Sequence, residues 1–352
     1  MDYKKELEEL ILTLIRENGS DLHLGAGRMP ALRVSGELIF LVKHPVLTKE
    51  DMMGFLNEVL DKDKVAKFIE SQEMDFSYDF RGEARLRGNA FFQKGLVSVV
   101  FRLVPKVRTL DELHLPPIIA DLSRKKQGFF LVVGPVGQGK STTLSAMVNL
   151  INAEQARNIV TIEDPIEYVF TQNKSIISQR EVGIDTKDFS NALKSIFRED
   201  VNVILIGEMR TPETISTAVA AAETGHLVLT TLHTNNASQT IDRIIDAFPG
   251  NQQDQIRTQL ASSLLGIFSQ RLVPRIAGGL IPAYELLLNN NAVSNLIQEK
   301  RTHEIDVVIE TGSESGMVDL NRSLLELVRT GEISIENAYQ YSLNPKSLER
   351  ML

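Results

Sequence analysis

There is no cysteine among the 352 residues, so neither a disulfide framework nor a thiolate metal site can be built. That absence fits a reducing compartment. No apolar run approaches the roughly 18 residues that a membrane span needs, and Met1-Asp-Tyr-Lys-Lys-Glu carries no signal-peptide hydrophobic core. Basic stretches are scarce too. The densest is Arg124-Lys-Lys126, and 38 basic against 46 acidic residues leave a formal charge of −8. Proteins that grip a phosphodiester backbone usually show a basic stripe, so a DNA or RNA substrate is disfavoured. Low-complexity segments and short repeats are missing as well. What remains is 43% hydrophobic and 24% charged, an ordinary globular composition, long enough for two domains or one with an appendage.

Apolar spacing divides the chain. Leu7, Leu10, Ile11, Leu14 and Ile15 share one face of a helix over residues 3–17, stopped by Asn18-Gly19. Alternating segments 21–24 and 31–34 predict strands, with a hairpin at Ser35-Gly36 before a third strand at 37–40. A Thr48-x-x-Asp51 capping pattern opens a helix that runs to about residue 71. Segments 75–80 and 84–104 read as strands, the second folded back at Gly95. This α+β half carries no catalytic motif of its own. Residues 105–117 hold three prolines and few core residues, which predicts a linker. The domains expected are therefore 1–104 and 118–352. In the second, apolar runs at 129–133, 159–162, 203–206 and 227–232 alternate with helical patterns, implying an α/β fold with a parallel sheet covered on both faces. From about residue 251 the pattern turns mostly helical.

Ligands of such sheets sit beyond the carboxyl ends of the strands, and the motifs fall there. Gly134-Pro135-Val136-Gly137-Gln138-Gly139-Lys140-Ser141-Thr142 fits the phosphate-binding pattern G-x-x-x-x-G-K-[ST], with an apolar strand before it and helix formers 144–151 after it. Its glycines let successive N–H groups turn toward phosphate oxygens, and the new helix adds its positive end. In such a loop the lysine bridges the β- and γ-phosphates and the serine hydroxyl ligates Mg²⁺. A nucleoside triphosphate is the expected ligand.

Three more clusters follow at strand ends. Glu163, Asp164 and Glu167 offer carboxylates that could orient or deprotonate an attacking water, although an acidic turn can also be merely solvated. Val203-Ile-Leu-Ile206-Gly207-Glu208 has the form of a strand whose terminal acid holds Mg²⁺ through water, and Arg210 is placed to pair with a carboxylate. His226 and His233 cap the two ends of one apolar strand. Seven residues of strand separate their rings by about 20 Å, too far for a shared zinc, so a nucleotide-sensing role is favoured.

In this order, the motifs resemble those of the secretion ATPase superfamily, the hexameric motors of type II secretion and type IV pili. Within it the chain most resembles the twitching-motility retraction ATPases. The matching segments are 134–142 (Walker A), 163–167 (aspartate box), 204–210 (Walker B) and 225–236 (histidine box). Thr240-Ile-Asp-Arg-Ile-Ile-Asp246-Ala-Phe-Pro249 matches too, as do Ser20-Asp-Leu-His-Leu24 and Arg85-Leu-Arg87-Gly-Asn89-Ala-Phe91 in the first half.

The resemblance implies a RecA-like P-loop core, an N-terminal PAS-like α+β domain and a helical C-terminal region. It implies ATP and Mg²⁺ as ligands, held by residues 134–142 with Glu208 behind the metal. Glu167 would activate water, with Glu163 the alternate. His226 and His233 would report on the γ-phosphate, and Arg87 and Arg102, with Arg85 beside them, would reach the nucleotide as arginine fingers. The partners implied are identical subunits in a homohexamer, an inner-membrane pilus platform protein and a paralogous pilus ATPase, with no nucleic acid. The place implied is the cytoplasm, at the inner face of the membrane and peripheral to it. The chain starts directly with the domain before the ATPase core and has no zinc-binding cysteines, both of which favour retraction over assembly. Ser294 and Gln298 replace arginines of the retraction motif A-I-R-N-L-I-R-E, and Asp200-Val-Asn202-Val departs from D-P-D-V. Pilus assembly, type II secretion and an accessory retraction motor therefore stand as alternatives. So do an ATP-binding switch without turnover and a nucleic-acid translocase.

Overall fold

The computed structural model describes residues 2–34, 36–82 and 84–351. The chain packs as two compact units, Met1–Lys106 and Val107–Leu352. The first runs α1 (Tyr3–Arg16), β1 (Asp21–Gly25), β2 (Ala31–Val34), β3 (Glu37–Phe40), α2 (Lys49–Val59), α3 (Lys62–Ser71), β4 (Glu73–Phe80), β5 (Ala84–Gln93) and β6 (Leu96–Leu103). Its six strands form an antiparallel sheet in the order β3-β2-β1-β6-β5-β4. The helices bury Leu7, Leu10, Leu14, Phe55 and Phe68 with Leu22, Leu86 and Phe101 of the strands. The β5–β6 turn falls at Lys94 and Gly95, both at positive φ, as a two-residue hairpin requires. Ser35, assigned to a hairpin from the sequence, lies outside the described residues.

One expectation fails in this unit. The helix from Thr48 to about residue 71 is two helices. Thr48 and Asp51 do form the capping box of α2, but the chain leaves helical geometry at Leu60, and Asp61 starts α3 by accepting the Lys64 N–H at 2.8 Å. A side-chain acceptor inside an apolar pattern offers the backbone a fresh start that periodicity does not register.

The second unit runs α4 (Ile118–Ser123), β7 (Gly128–Val133), α5 (Lys140–Glu154), β8 (Asn158–Glu163), β9 (Ile176–Glu181), α6 (Phe189–Ile196), β10 (Val203–Ile206), α7 (Pro212–Glu223), β11 (Leu227–Leu232), α8 (Ala237–Asp246) and α9 (Gly250–Ser263). It continues with β12 (Leu264–Pro274), β13 (Leu280–Leu288) and the helices α10 (Asn291–Gln298), α11 (Ile305–Thr311), α12 (Leu320–Arg329), α13 (Ile335–Tyr341) and α14 (Pro345–Met351). The sheet order is β13-β12-β7-β11-β10-β8-β9, parallel except for β13. Alternate residues of β7 face opposite cores: Leu131 and Val133 one, Phe130 and Val132 the other. Leu110 and Leu115, from the stretch read as a linker, are buried in that second core. The helical C-terminal region is present, but after α9 it is interrupted by the β12–β13 hairpin, which extends the sheet. Among the described residues no helix is long and apolar enough to cross a membrane.

Candidate nucleotide site

β7 is buried along its whole length, and at its carboxyl end the chain turns through the glycine loop into the 15-residue α5. The backbone there takes φ of 146° at Gly134, 78° at Gly137 and 76° at Gly139, a region that favours glycine. β12 braces the loop. A Cβ on Gly134 would stand 2.5 Å from the Gln270 carbonyl oxygen. Gln270 Nε2 donates to Gln138 O at 2.7 Å, and Gln138 Oε1 accepts the Leu272 N–H at 2.7 Å. The Thr143 hydroxyl donates to Gln270 Oε1 at 2.7 Å. The loop is thereby fixed as a cradle at a helix N-terminus, where backbone N–H groups and the helix dipole attract phosphate.

The cradle opens on a cleft of about 480 Å³ lined by residues 136–142, Glu163, Asp164, Pro165, Glu167, Gly207, Glu208, Arg210 and His233. Four separated motifs thus meet at one place, beyond the carboxyl ends of β7, β8, β10 and β11. Gly134 and Pro135 stand behind the lining. Lys140 Nζ donates to Pro135 O at 2.8 Å and lies 3.2 Å from His233 Nδ1. An ammonium has no lone pair, so Nδ1 accepts and the imidazole proton sits on Nε2. Burial lowers the Lys140 pKa, with Glu167 opposing the fall and Arg271 adding to it. Burial and the Lys140 charge also lower the His233 pKa against the pull of Glu208, so the ring is neutral at pH 7.

The three acids divide by exposure. Glu163 ends β8 at 7% exposure, and burial raises its carboxyl above the ordinary range. It accepts the Thr161 hydroxyl at 2.6 Å and the Glu167 N–H at 3.4 Å. Asp164 and Glu167 are exposed. Behind them the Tyr168 hydroxyl lies 2.7 Å from Thr142 Oγ1, and Gln179 of β9 donates to Tyr168 O at 2.8 Å. The acidic loop is thus tied to the phosphate loop. Glu208 pairs with Arg210 at 2.6 Å, as the sequence suggested for that arginine. The Ser141 hydroxyl lines the cleft and has no protein partner among the described residues. A lone hydroxyl and one acid fit Mg²⁺, which takes most of its ligands from water and phosphate. Among the described residues no cluster of three His, Asp or Glu would hold a metal by itself.

His226 is a correction. It precedes β11 at the amino end of the strand, while the cleft lies past the carboxyl end, and its Nδ1 is 2.9 Å from Ala221 O. Its ring packs edge-on against Phe197 with centroids 5.7 Å apart. The expectation that both histidines sense the γ-phosphate fails for this one, because a parallel strand puts its two ends on opposite rims of the sheet. Arg87 and Arg102 lie in the first unit, opposite each other on β5 and β6, and Arg102 Nε donates to the buried Asp21 at 2.8 Å. Tyr168, Gln179, Gln270 and Arg271 were not singled out from the sequence. Only Tyr168, next to the acid cluster, carried a local signal.

Near the cleft, Glu285 of β13 is buried and accepts the Ala237 N–H at 2.8 Å. Burial raises its carboxyl from 4.5 to about 7, the Ala237 bond opposing and Asp306 and Asp319 adding to the rise. The folded state therefore favours the neutral acid. Its contribution is complete below about pH 4.5 and is lost as pH rises through about 7, a swing on the order of 3 kcal/mol. Glu285→Gln is expected to melt above wild type near pH 8 and to flatten the decline of Tm between about pH 5 and pH 8. Parallel Tm curves for the two proteins would contradict this.

The family model for type II/IV secretion system proteins matches residues 115–280. The chain is 41% identical over 343 residues to the type IV pilus retractation ATPase PilT of Pseudomonas aeruginosa, covering 97% of this chain and 99% of that one. It is 43% identical to a twitching motility protein of Neisseria gonorrhoeae, over 91% of this chain and 86% of that one. The crystal structure of the pilus retraction motor PilT with bound ADP superposes with a TM-score of 0.92 at 44% identity, covering 98% of this chain and 99% of the other.

Proposed function

Since the chain belongs to the type II/IV secretion system protein family, we propose that it retracts type IV pili and so drives twitching motility, by turning over ATP in the cleft above β7. It is an ATPase whose hydrolysis is coupled to mechanical work. The observation that carries this reading is the convergence of Lys140, Glu167, Glu208 and His233 on one cleft.

In this reading the loop 134–142 cradles the triphosphate, with Lys140 leaving Pro135 O to meet the β- and γ-phosphates. Ser141, and Glu208 through water, would hold Mg²⁺, which would supply charge neutralisation at those phosphates. Glu167, exposed at the cleft, takes the proton of the attacking water. Neutral His233 accepts from Lys140 until phosphate claims the ammonium, so its hydrogen bond reports occupancy. Arg87 and Arg102 are permanent cations with planar forks, suited to developing phosphate charge. The working form is a homohexamer at the inner face of the cytoplasmic membrane, turning a platform protein beneath the fibre.

Cells whose only copy carries Lys140→Ala are expected to accumulate surface pili and lose twitching. Bald cells would assign the motor to assembly instead. Wild-type pilus numbers would assign it to an accessory role or another cargo. One observation favours those second readings. Ser294, which replaces a motif arginine, turns inward, its Oγ lying 2.9 Å from Ala261 O and 3.1 Å from Asn289 Oδ1.

A further inference from the structure

Burying a cation without a counter-ion is among the most expensive arrangements a fold can keep. Arg271, on β12, is 7% exposed, and no carboxylate among the described residues lies within ion-pair distance of it. Its guanidinium donates to carbonyl oxygens alone. Nη1 donates to Gln270 O at 3.2 Å, while Nη2 donates to Asn235 O at 3.2 Å and to Asn235 Oδ1 at 3.1 Å. Asn235 is two residues beyond His233. A terminal nitrogen that takes both oxygens of one residue, while its twin holds the Gln270 carbonyl, fixes where that residue sits and how it is turned.

The same short segment is held again two residues later. Ala237, the first residue of α8, donates its N–H to Glu285 Oε1 at 2.8 Å, and Asn236 caps the helix by accepting the Gln239 N–H at 3.0 Å. Arg271 and Glu285 come from neighbouring strands of one hairpin, in the register Ser269 to Glu285 and Arg271 to Ala283. That hairpin also braces the phosphate loop through Gln270. One rigid element therefore fixes both partners of the Lys140–His233 contact, the lysine through its loop and the histidine through Asn235.

We propose that Arg271 is a positioning residue for the nucleotide site, holding the imidazole of His233 against Lys140 through Asn235. The inference rests on the reading of the cleft as an ATPase site. It explains a buried fork that no carboxylate contacts directly, Glu285 acting on it only at longer range: the guanidinium is spent on the geometry of the segment that follows β11.

Two readouts on the full-length protein test it. The first needs no activity. With ¹⁵N-labelled histidine, the His233 signal, assigned by its loss in His233→Ala among the six histidines, is expected to show an accepting Nδ1 and a protonated Nε2 in the nucleotide-free wild type. In Arg271→Gln that signal is expected to move to a mixture of tautomers. An unchanged signal would overturn the proposal. The second readout is steady-state ATPase. Arg271→Gln is expected to lower kcat on the order of ten-fold with little change in KM, and combining it with His233→Ala should cost no more than the larger single loss. Losses that multiply would mean that Arg271 acts independently of His233, and would also overturn it. Should Arg271→Gln not fold, Arg271→Lys keeps the charge but not the fork, and the same shift in the His233 signal is expected. A wild type with the expected His233 signal and no ATPase activity would sink the functional reading and leave the positioning role standing.

Discussion

Glu167→Gln is expected to bind ATP with Mg²⁺ yet turn it over at least ~100-fold more slowly than wild type, the low end for removing a general base. Two carboxylates compete for the role, and burial separates them. Glu167 is exposed at the cleft, and its charge reaches Lys140, whose pKa it raises. Glu163 is 7% exposed, and burial favours its protonated form. Its oxygens are occupied by the Thr161 hydroxyl at 2.6 Å and the Glu167 N–H at 3.4 Å, so it shapes the turn that presents Glu167. A buried carboxyl whose oxygens are already engaged makes a poor base. Glu163→Gln retains an acceptor oxygen and is expected to lose less than ~10-fold. Single-turnover hydrolysis of both variants decides the matter: a near-normal rate in Glu167→Gln beside a deep loss in Glu163→Gln would transfer the role.

Gly134→Ala is expected to destabilise the protein on the order of 3 kcal/mol and to abolish nucleotide binding, although it adds one methyl group. The φ of 146° lies where side-chain-bearing residues rarely go, and the new Cβ would meet the Gln270 carbonyl at 2.5 Å. That oxygen belongs to a strand interior and cannot swing aside as a flexible side chain would. Gly137→Ala is the control. Its φ of 78° is also positive, but nothing lies within 4 Å of a Cβ there, so only the backbone term of about 1 kcal/mol applies. Denaturant melts of the nucleotide-free proteins compare them. Equal losses would mean that the brace from β12 adds nothing to the cost.

Much of this site was legible because its chemistry is local. The loop at 134–142 needs only its own glycines, its lysine and the strand before it, and the acids at Glu163, Glu167 and Glu208 follow apolar runs whose ends are plain in the sequence. What holds these groups was not legible. Gln270 and Arg271 act on residues far away in the chain, and Gln179 acts across the β8–β9 pairing, between neighbours that only the folded sheet defines. β9 and the β12–β13 hairpin were passed over for a related reason. A short apolar run such as Leu264-Leu-Gly-Ile-Phe fits a buried strand as well as a helix, although Gly278 and Gly279, at φ of 88° and 79°, do mark the turn between the strands. The pairing of His226 with His233 failed because a motif records order along the chain and not the rim of the sheet on which each residue ends.

The family match ends at residue 280, where β13 begins. A fragment cut to those bounds would keep β12 beside β7 but strip the antiparallel strand from its far side. Its outer edge would then offer unpaired N–H and carbonyl groups flanked by Phe268 and Val273, both buried in the whole chain. Open apolar edges of that kind recruit strands from other molecules. The stretch that carries the nucleotide-site motifs would therefore tend to precipitate on its own. Cover for that edge comes from β13, in sequence that follows the matched stretch and contributes no residue to the nucleotide cleft.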